Sequence, residues 1–364
     1  MDRERKYEIT TKFIFGHGTR EELAELNVEE IIFLLYSIQK SIEEKEDKRI
    51  AHSSLKVTIF TEVLIEKIKS LDCIYIASNN RTRYPLIDID AASIFTKEEY
   101  AKNTVERLKE RFNLDLQVYK FNNDDYGTLG ESLYVLGIKN LLINEGYYKV
   151  TIPVESIFES PDFTKLPEIN VPLTNPYLQL NLILFNQYLA DYNKGTDEDK
   201  KILDFLYKRI LNIIYESKFL LPVTVKNEDG KDASLDESGP NGETTLKKNM
   251  HFTLESIVNE ENNTSWIPAF TDWIEFRKRY GTNSDRKGMI VTIEDLILAA
   301  GSMEGVVINC NGTAFTIGKE VKDAFVKAKE AERREKETRE NEKLEKEEKI
   351  KKGIFSFFKR KKKD

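Results

Sequence analysis

Few residues in this sequence have the type and spacing that catalysis or metal binding requires. Asp88 and Asp90 are two positions apart on a predicted strand, so they would share one face. Paired carboxylates can bind a metal ion or transfer protons. No further ligand stands near them, however, and we expect a solvated sheet edge. The three histidines, His17, His52 and His251, show no metal-binding spacing and adjoin no nucleophile motif.

A glycine-rich stretch and two cysteines are the other candidates for chemistry. "FGHGTREE", residues 15–22, places glycines before a predicted helix but lacks the Gly-Lys-Ser/Thr ending of phosphate-binding loops. Cys73 and Cys310 lie on or beside apolar strands, where we expect buried structural thiols; a reactive thiol is the alternative. Two cysteines so far apart predict no disulfide and a reducing compartment. The sequence thus predicts no catalytic residue, no cofactor and no metal site.

The stretch "SWIPAFTDWIEFRKRYG", residues 265–281, joins a predicted strand directly to a predicted helix. Asp272 or Thr271 can cap this helix, and Asp272 with Glu275 resembles a capping box. The helix has an apolar face of aromatic residues spaced three and four apart: Trp273, Phe276 and Tyr280. We interpret the stretch as a junction whose apolar side chains enter the core; a ligand or partner surface is the alternative.

Composition and charge narrow the class of protein. The chain has 364 residues, of which 40% are hydrophobic, enough for two or three domains with sizeable cores. The net charge of −7 makes nucleic acid an improbable partner by simple attraction. The N-terminal "MDRERKYEITTKF" has no apolar signal region, and the apolar segments are too short and too polar for a bilayer. We therefore expect a cytoplasmic protein.

Apolar periodicity and turn residues predict alternating helices and strands. Thr19 with Glu22 and Thr96 with Glu99 fit capping boxes. Predicted helices cover residues 21–45, 57–69, 97–112, 177–192, 197–217, 272–280 and 293–300. Predicted strands and hairpins cover residues 73–78, 114–121, 137–153, 218–225, 250–258, 264–271, 288–292 and 304–317, the last with Asn311-Gly312 as its turn. A polar stretch at 226–249 is predicted to be a loop.

The two parts of the chain repeat the same order of predicted elements. Each begins with two helices and ends in a hairpin, and Phe95-Thr96 matches Phe270-Thr271. "LLIN" at 141–144 likewise matches "VVIN" at 306–309. We interpret this ordered series as an ancient duplication of one α/β unit.

The second part resembles the SseB family, which is named for enhanced serine sensitivity in bacteria. The similarity rests on "FLLPVTV" (219–225), "WIPAFTDWIEFRKR" (266–279), "VTIEDLILAA" (291–300) and "EGVVINCNGTAFTI" (304–317). Cys310 stands where the family's hairpin usually has proline. The first part matches more loosely, through "YPLIDIDAASIFT" and "GIKNLLINEG". The resemblance implies a bacterial cytosolic α/β module with a regulatory or interaction role, and it carries over no catalytic residues.

The C-terminal tail is the most informative surface feature of the sequence. Residues 319–352 are nearly all Lys, Glu, Arg and Ala without a coiled-coil seam, which predicts a solvated charged helix. After Gly353, four apolar residues that would share a helical face precede five basic residues: Ile354, Phe355, Phe357, Phe358, Lys359, Arg360, Lys361, Lys362 and Lys363. This end could contact an anionic membrane surface, dock on an unknown protein partner, or have no binding role.

These observations predict an α/β (α+β) fold made of two tandem SseB-like modules, each a mixed sheet with flanking helices, followed by a long charged helix. The predicted boundaries are a divergent module at 1–160, a Pro-rich linker at 161–176, a second module at 177–330 and the tail at 331–364. The predicted function is non-catalytic, as an interaction or regulatory protein. The alternative is a small-metabolite sensor or enzyme linked to serine or sulfur metabolism, with a pocket between the modules.

Overall fold

The protein is a mixed α/β structure, which confirms the predicted fold class. The computed structural model describes residues 1–44, 52–112, 114–167, 171–191, 196–227, 250–282 and 285–327, with the single positions 50, 329, 331 and 334. Most of the predicted loop at 226–249 and of the predicted tail at 331–364 lies outside these residues. The division into two tandem modules and the long charged helix stay predictions.

The first half, residues 1–160, is built from helices that flank one sheet. Its helices are α1 (Arg3–Ile9), a π-helical segment (Thr10–Phe15), α2 (Arg20–Glu25), α3 (Val28–Glu43), α4 (Ser53–Lys69), α5 (Glu98–Phe112) and α6 (Tyr126–Val135). Its strands are β1 (Cys73–Asn79), β2 (Ile87–Asp88), β3 (Ala91–Phe95), β4 (Leu116–Asn122), β5 (Asn140–Ile143) and β6 (Val150–Pro153).

The second half, residues 177–327, begins with two helices and contains two smaller sheets. Its helices are α7, which starts one residue earlier (Pro176–Asp191), α8 (Asp197–Glu216), α9 (Trp273–Tyr280) and α10 (Ile293–Ala300). Its strands are β7 (Lys218–Asn227), β8 (Met250–Leu254), β9 (Ile257–Asn259), β10 (Thr264–Ala269), β11 (Lys287–Thr292), β12 (Gly305–Ile308) and β13 (Phe315–Ile317).

Several helix starts differ from the sequence prediction, which lacks α1 and α6 and begins α4 at residue 57 instead of Ser53. The helix predicted at 21–45 is split, because Leu26 is extended and Asn27 begins a second capping box in which its Oδ1 accepts from Glu30 N at 2.9 Å. The predicted box of Thr19 and Glu22 is confirmed. The predicted box of Thr96 and Glu99 is out of register, since α5 begins at Glu98 and would be capped from residue 97.

The two halves share one order of strands. In the first half the sheet runs β4-β1-β3-β5-β6, with β3 and β5 parallel and the other neighbours in this row antiparallel. In the second half β11 pairs with β7, and β10-β12-β13 follow with β10 and β12 parallel. A single bridge between Leu220 and Phe270 joins β7 to β10 and completes the same row.

Helix α7 lies between the two halves and contributes to both cores. Leu180 and Ile183 pack in the first core, with residues of α3, α6 and the β3–β5 strands. Leu178 and Leu182, on another side of the helix, pack in the second core. A helix with apolar residues all round is stable only when it is covered on more than one side. The predicted boundary at residue 177 therefore falls at the start of a helix that belongs to both cores.

The start of the predicted tail is attached to the second half. Residues 319–327 are helical, and the Phe325 ring stacks on Tyr215 with ring centroids 5.8 Å apart. Lys322 Nζ donates to the carbonyls of Gly301 and Met303 at 3.0 and 2.9 Å, which satisfies acceptors at the end of α10. In the described part of the chain, no helix has both the length and the apolar character to cross a bilayer.

The position of α7 predicts that truncating either of two apolar faces destabilises the protein. Leu182→Ala and Ile183→Ala remove side chains that are 0% and 2% exposed, one from each core. Each should lower the free energy of unfolding by about 2–5 kcal/mol, measured by urea denaturation.

Leu189→Ala on the same helix is the matched control, since Leu189 is 49% exposed. It should change the free energy of unfolding by no more than about 0.5 kcal/mol. An effect of Ile183→Ala as small as that of the control would show that α7 is not part of the first core.

Candidate functional site

Polar side chains gather where the halves meet, at the carboxyl ends of the parallel strands β10 and β12. Ligand sites of open α/β sheets commonly lie at the carboxyl ends of parallel strands. Here Thr271 follows β10 and Asn309 follows β12, and both are fully buried. This position is therefore the first place to look for a functional site.

Each half has a threonine–asparagine pair at this position. Asn309 Oδ1 accepts from Thr271 N at 3.1 Å, and Asn309 Nδ2 donates to Thr271 Oγ1 at 2.9 Å. Asn144 makes the same two hydrogen bonds to Thr96, both at 2.9 Å. Both asparagines have positive φ, 52° and 53°, which asparagine tolerates better than most residues. The pair fixes the end of one parallel strand to the end of its neighbour.

Side chains of the second half saturate the polar groups around Thr271. Asp272 caps α9 by accepting from Glu275 N at 2.9 Å, which confirms the predicted cap. The other carboxylate oxygen of Asp272 accepts from Gln179 Nε2 at 2.8 Å, and Gln179 Oε1 accepts from Asn309 Nδ2 at 3.2 Å. These side chains are all almost completely buried. No local signal in the sequence indicates Gln179, which lies far from its partners along the chain.

Glu275 connects this network to the first half. Its side chain is 1% exposed, and Oε1 accepts hydrogen bonds from the Tyr84 hydroxyl and from Lys278 Nζ, the latter at 2.7 Å. Lys278 Nζ also donates to the carbonyl of Thr82 at 3.1 Å and lies 3.8 Å from the centroid of the Tyr84 ring. Lys278 thus holds both the carboxylate and the loop that carries Tyr84.

The contact between the two halves shifts the pKa values of its two buried groups, Glu275 and Tyr84. Burial raises the pKa of Glu275, and the nearby Lys278 and Tyr84 partly offset this effect. Burial and the Glu275 carboxylate raise the pKa of Tyr84 well above its usual value, so Tyr84 remains a neutral donor. Within the described residues, Glu275 Oε2 has no hydrogen-bond partner. The carboxylate is therefore held by one oxygen only.

Gly312 is required by the close approach of Glu275. A Cβ at this position would lie 2.0 Å from Glu275 Oε2 and 2.9 Å from the Tyr84 hydroxyl. Gly312 does not have positive φ; Asn309 provides the left-handed residue of the β12–β13 connection. The glycine at position 312 is therefore explained by packing and not by the turn geometry that the sequence predicts. The glycine makes room for Glu275 of the same half and for the Tyr84 hydroxyl of the other half.

The first half has tyrosines of its own at the corresponding positions. Tyr100 lies four residues after Thr96, as Glu275 does after Thr271, and Tyr147 lies three after Asn144, as Gly312 does after Asn309. The Tyr100 and Tyr147 rings pack with centroids 4.3 Å apart. Asn103 Nδ2 donates to the Tyr147 hydroxyl at 3.0 Å. The second half thus receives Tyr84 from the other half beside its strand ends, whereas the first half has Tyr100 and Tyr147 of its own at the matching sequence positions.

The aromatic face predicted for 273–280 is confirmed. Phe276 packs against Trp273 and Tyr280 with ring centroids 5.2 and 4.9 Å apart, and Phe270 packs against Phe276 at 5.4 Å. The Trp273 ring also covers Gly288 of the neighbouring strand. These contacts agree with the interpretation as junction and core. Sequence reasoning missed that Glu275, on the same helix, contacts the other half.

Asp88 and Asp90, which the sequence predicts to share one face of a strand, do not do so. β2 ends at Asp88, and Ile89 has φ of 58°, so Asp88 and Asp90 do not alternate along one strand. Asp88 lies 3.8 Å from Lys149 Nζ, while Asp90 accepts from Asn140 Nδ2 at 3.1 Å. The described residues contain no group of three His, Cys, Asp or Glu side chains that could hold a metal ion.

The remaining candidates have structural contacts. Lys56 Nζ donates to the carbonyls of Ile14, just before the "FGHGTREE" segment, and of Gly16 within it, at 2.6 and 3.0 Å. His52 precedes α4 with positive φ. Burial raises the pKa of the Cys310 thiol, which makes it less reactive. Cys73 and Cys310 are free thiols.

The predicted binding residues of the tail lie outside the described residues. They are Ile354, Phe355, Phe357, Phe358, Lys359, Arg360, Lys361, Lys362 and Lys363. The structure therefore places none of them.

Fold and junction together define an α/β protein whose two similar halves share a helix and a buried polar contact. Comparison of the chain with protein-family models, curated proteins and solved structures gives no match. The resemblance to the SseB family stays a prediction.

The contact at Gly312 predicts a large effect of one methyl group. Gly312→Ala should lower the free energy of unfolding by about 1–3 kcal/mol, because Tyr84 and Lys278 hold Glu275 where the new methyl would lie. Chemical denaturation measures this change. Gly127→Ala is the control: no atom lies within 4 Å of the added Cβ, and Gly127 is in a helix, so this change should stabilise by about 0.5–1 kcal/mol. Equal effects would contradict the role assigned to Gly312.

The raised pKa of Glu275 predicts a defined pH dependence of stability. Between its ordinary pKa of 4.5 and its raised value in the folded protein, Glu275 is protonated when folded and ionised when unfolded. Its contribution to stability therefore falls as pH rises through this window and is constant above it. Glu275→Gln cannot titrate. The stability of the wild type relative to Glu275→Gln should fall as pH rises from 4.5, measured by urea denaturation across pH. A difference that does not vary with pH would contradict the assignment.

Proposed function

We propose that this protein is a non-catalytic regulatory or interaction protein of the bacterial cytoplasm. One observation carries the proposal: the strand ends at which α/β enzymes bind substrates are occupied in both halves by the protein's own side chains. Tyr84 and Gln179 occupy this position in the second half, and in the first half Tyr147 packs on Tyr100 close to it in sequence. The buried polar groups stabilise the packing of the two halves, which suits a rigid platform.

The proposal also includes two tandem modules of the SseB type. The identical strand order, the repeated threonine–asparagine pair and the two parallel strand pairs support a duplicated unit. In this view the first module is the divergent one, since it has Tyr147 of its own at the matching sequence position instead of a tyrosine from its neighbour.

The C-terminal tail is the proposed binding end. The residues just before the tail are attached to the second half, because Phe325 stacks on Tyr215 and Lys329 Nζ lies 2.8 Å from Glu294 Oε1. The charged helix that the sequence predicts would start from this point and carry the aromatic-basic end away from the body. That end would then dock on a protein partner or on an anionic membrane surface.

Removal of the tail end tests this function. A form that ends at Lys352 should lose partners that the full chain retains, because the four apolar and five basic residues of the end are gone. Affinity capture from the native cell with mass spectrometry compares the two forms. An identical set of partners would contradict a docking role for the tail.

Vesicle sedimentation separates a membrane surface from a protein partner. Each basic residue near an anionic surface contributes about 1 kcal/mol, so exchanging all five for Gln should weaken binding to anionic vesicles on the order of 1,000-fold. Neutral vesicles serve as the control. Binding to neither kind of vesicle, together with loss of captured proteins on truncation, would assign the tail to a protein partner.

A further inference from the structure

A cleft of about 280 Å³ lies beside the Tyr84–Glu275 junction, between the two halves. One wall is the loop from Asn79 to Leu86 with the start of β4, and the other is the last part of α7. Thr313, from the β12–β13 connection, closes one side. The volume is close to the lower end of ligand pockets, which cover roughly 300–1,000 Å³ and often lie between domains. It suits a small metabolite.

The walls of the cleft are mainly apolar and firmly held. Leu116, Ile183 and Leu189 present hydrocarbon from both sides. Gln187 fixes α7 to the opposite wall, since its Oε1 accepts from Ile87 N at 3.1 Å and its Nε2 donates to Ile87 O at 2.8 Å. A ligand with an apolar body would therefore enter a preformed space, which reduces the entropic cost of binding.

One cation lines the cleft and has spare hydrogen-bonding capacity. Arg81 is exposed, and its Nη2 reaches the Gly312 carbonyl only at 3.5 Å. The backbone of Arg81 is held in place, because Asn79 Oδ1 accepts from Arg81 N and from Thr82 N, both at 3.0 Å. A guanidinium offers five donors in a plane and matches the geometry of a carboxylate. The cleft thus has an anion-recognising group at its edge.

Among the other polar residues that line the cleft, Thr313 has a buried hydroxyl. Thr313 is 3% exposed, and its Oγ1 has no hydrogen-bond partner among the described residues. A buried hydroxyl that lacks a partner costs free energy, so a ligand atom or a bridging water that reaches it is favourable. Arg81 and Thr313 come from different halves, and a single small molecule in this cleft would contact both.

We propose that this cleft binds a small monocarboxylate with an apolar body, of the size of a branched-chain 2-oxo acid. The carboxylate pairs with Arg81, the hydrocarbon lies against Leu116, Ile183 and Leu189, and the oxo group faces Thr313. Because such a ligand touches both halves, it stabilises their packed arrangement. The site is independent of the tail and of the proposed docking role, so either proposal can fail without the other.

Titration calorimetry with three probes tests the proposal on the full-length protein. The probes are 4-methyl-2-oxopentanoate, 4-methylpentanoate and the uncharged 4-methylpentan-1-ol. Both carboxylates should bind saturably and raise the melting temperature, the oxo acid more tightly, whereas the alcohol should bind at least roughly tenfold more weakly. Saturable binding of neither carboxylate, or equal binding of the alcohol, would overturn the proposal.

Matched arginine variants locate the binding. Arg81→Gln should weaken carboxylate binding at least roughly tenfold and leave the weak binding of the alcohol unchanged. Arg83→Gln is the control, because Arg83 stacks on Tyr119, with its guanidinium carbon 4.6 Å from the ring centroid, and does not line the cleft. Ala190→Trp should fill the cleft and abolish binding while leaving the circular dichroism spectrum intact. Wild-type affinity in Arg81→Gln would overturn the assignment.

Discussion

The burial of α7 on two sides is the constraint on which the rest of the structure depends. The helix "PYLQLNLILFNQYLA" has apolar residues in nearly every direction, and neither half alone could cover them all. Leu180 and Ile183 enter one core, and Leu178 and Leu182 enter the other. Burial at this depth requires that the polar residues of the same helix also find partners. Gln179 and Gln187 do so at opposite ends of the helix, each with an element of a different half.

The junction at Tyr84 follows from that arrangement. With the halves fixed by α7, the loop before β2 reaches the strand ends of the second half, and the Tyr84 hydroxyl donates a hydrogen bond to Glu275. A buried carboxylate is unfavourable unless it is paired, and Lys278 supplies the opposite charge from the next turn of the same helix. Gly312 then has to lack a side chain. One packing geometry thus explains the residue types at Tyr84, Lys278 and Gly312.

The features that the sequence predicted correctly are local. The capping role of Asp272 and the aromatic face of α9 depend on residues within one or two turns of each other. The break after α2 was not predicted, although Asn27 and Glu30 have the spacing of a second capping box. Periodicity concealed it, since apolar residues continue through Leu26 with helical spacing.

The features that the sequence did not predict depend on residues far apart in the chain or on unusual backbone. Nothing near Gln179 indicates Asp272, and nothing near Tyr84 indicates Glu275. Ile89 adopts a left-handed conformation that is rare for a β-branched residue, so Asp88 and Asp90 were assigned to one strand face. The asparagines at 144 and 309 are an intermediate case. Their recurrence was visible, but their hydrogen bonds to threonine appear only when parallel strands are paired.

The side chains that stabilise the contact between the halves and the cleft that could take a ligand lie at neighbouring but different places. At the strand ends of the second half, the side chains of Tyr84, Glu275 and Gln179 are buried and hydrogen-bonded, which stabilises the body. The cleft lies beside the Tyr84–Glu275 contact, where the Asn79–Leu86 loop of the first half faces α7, the helix that both halves share. A molecule in that space would interact with the packed arrangement more strongly than with separated halves. Binding and packing would then be thermodynamically linked, and neither could change without the other.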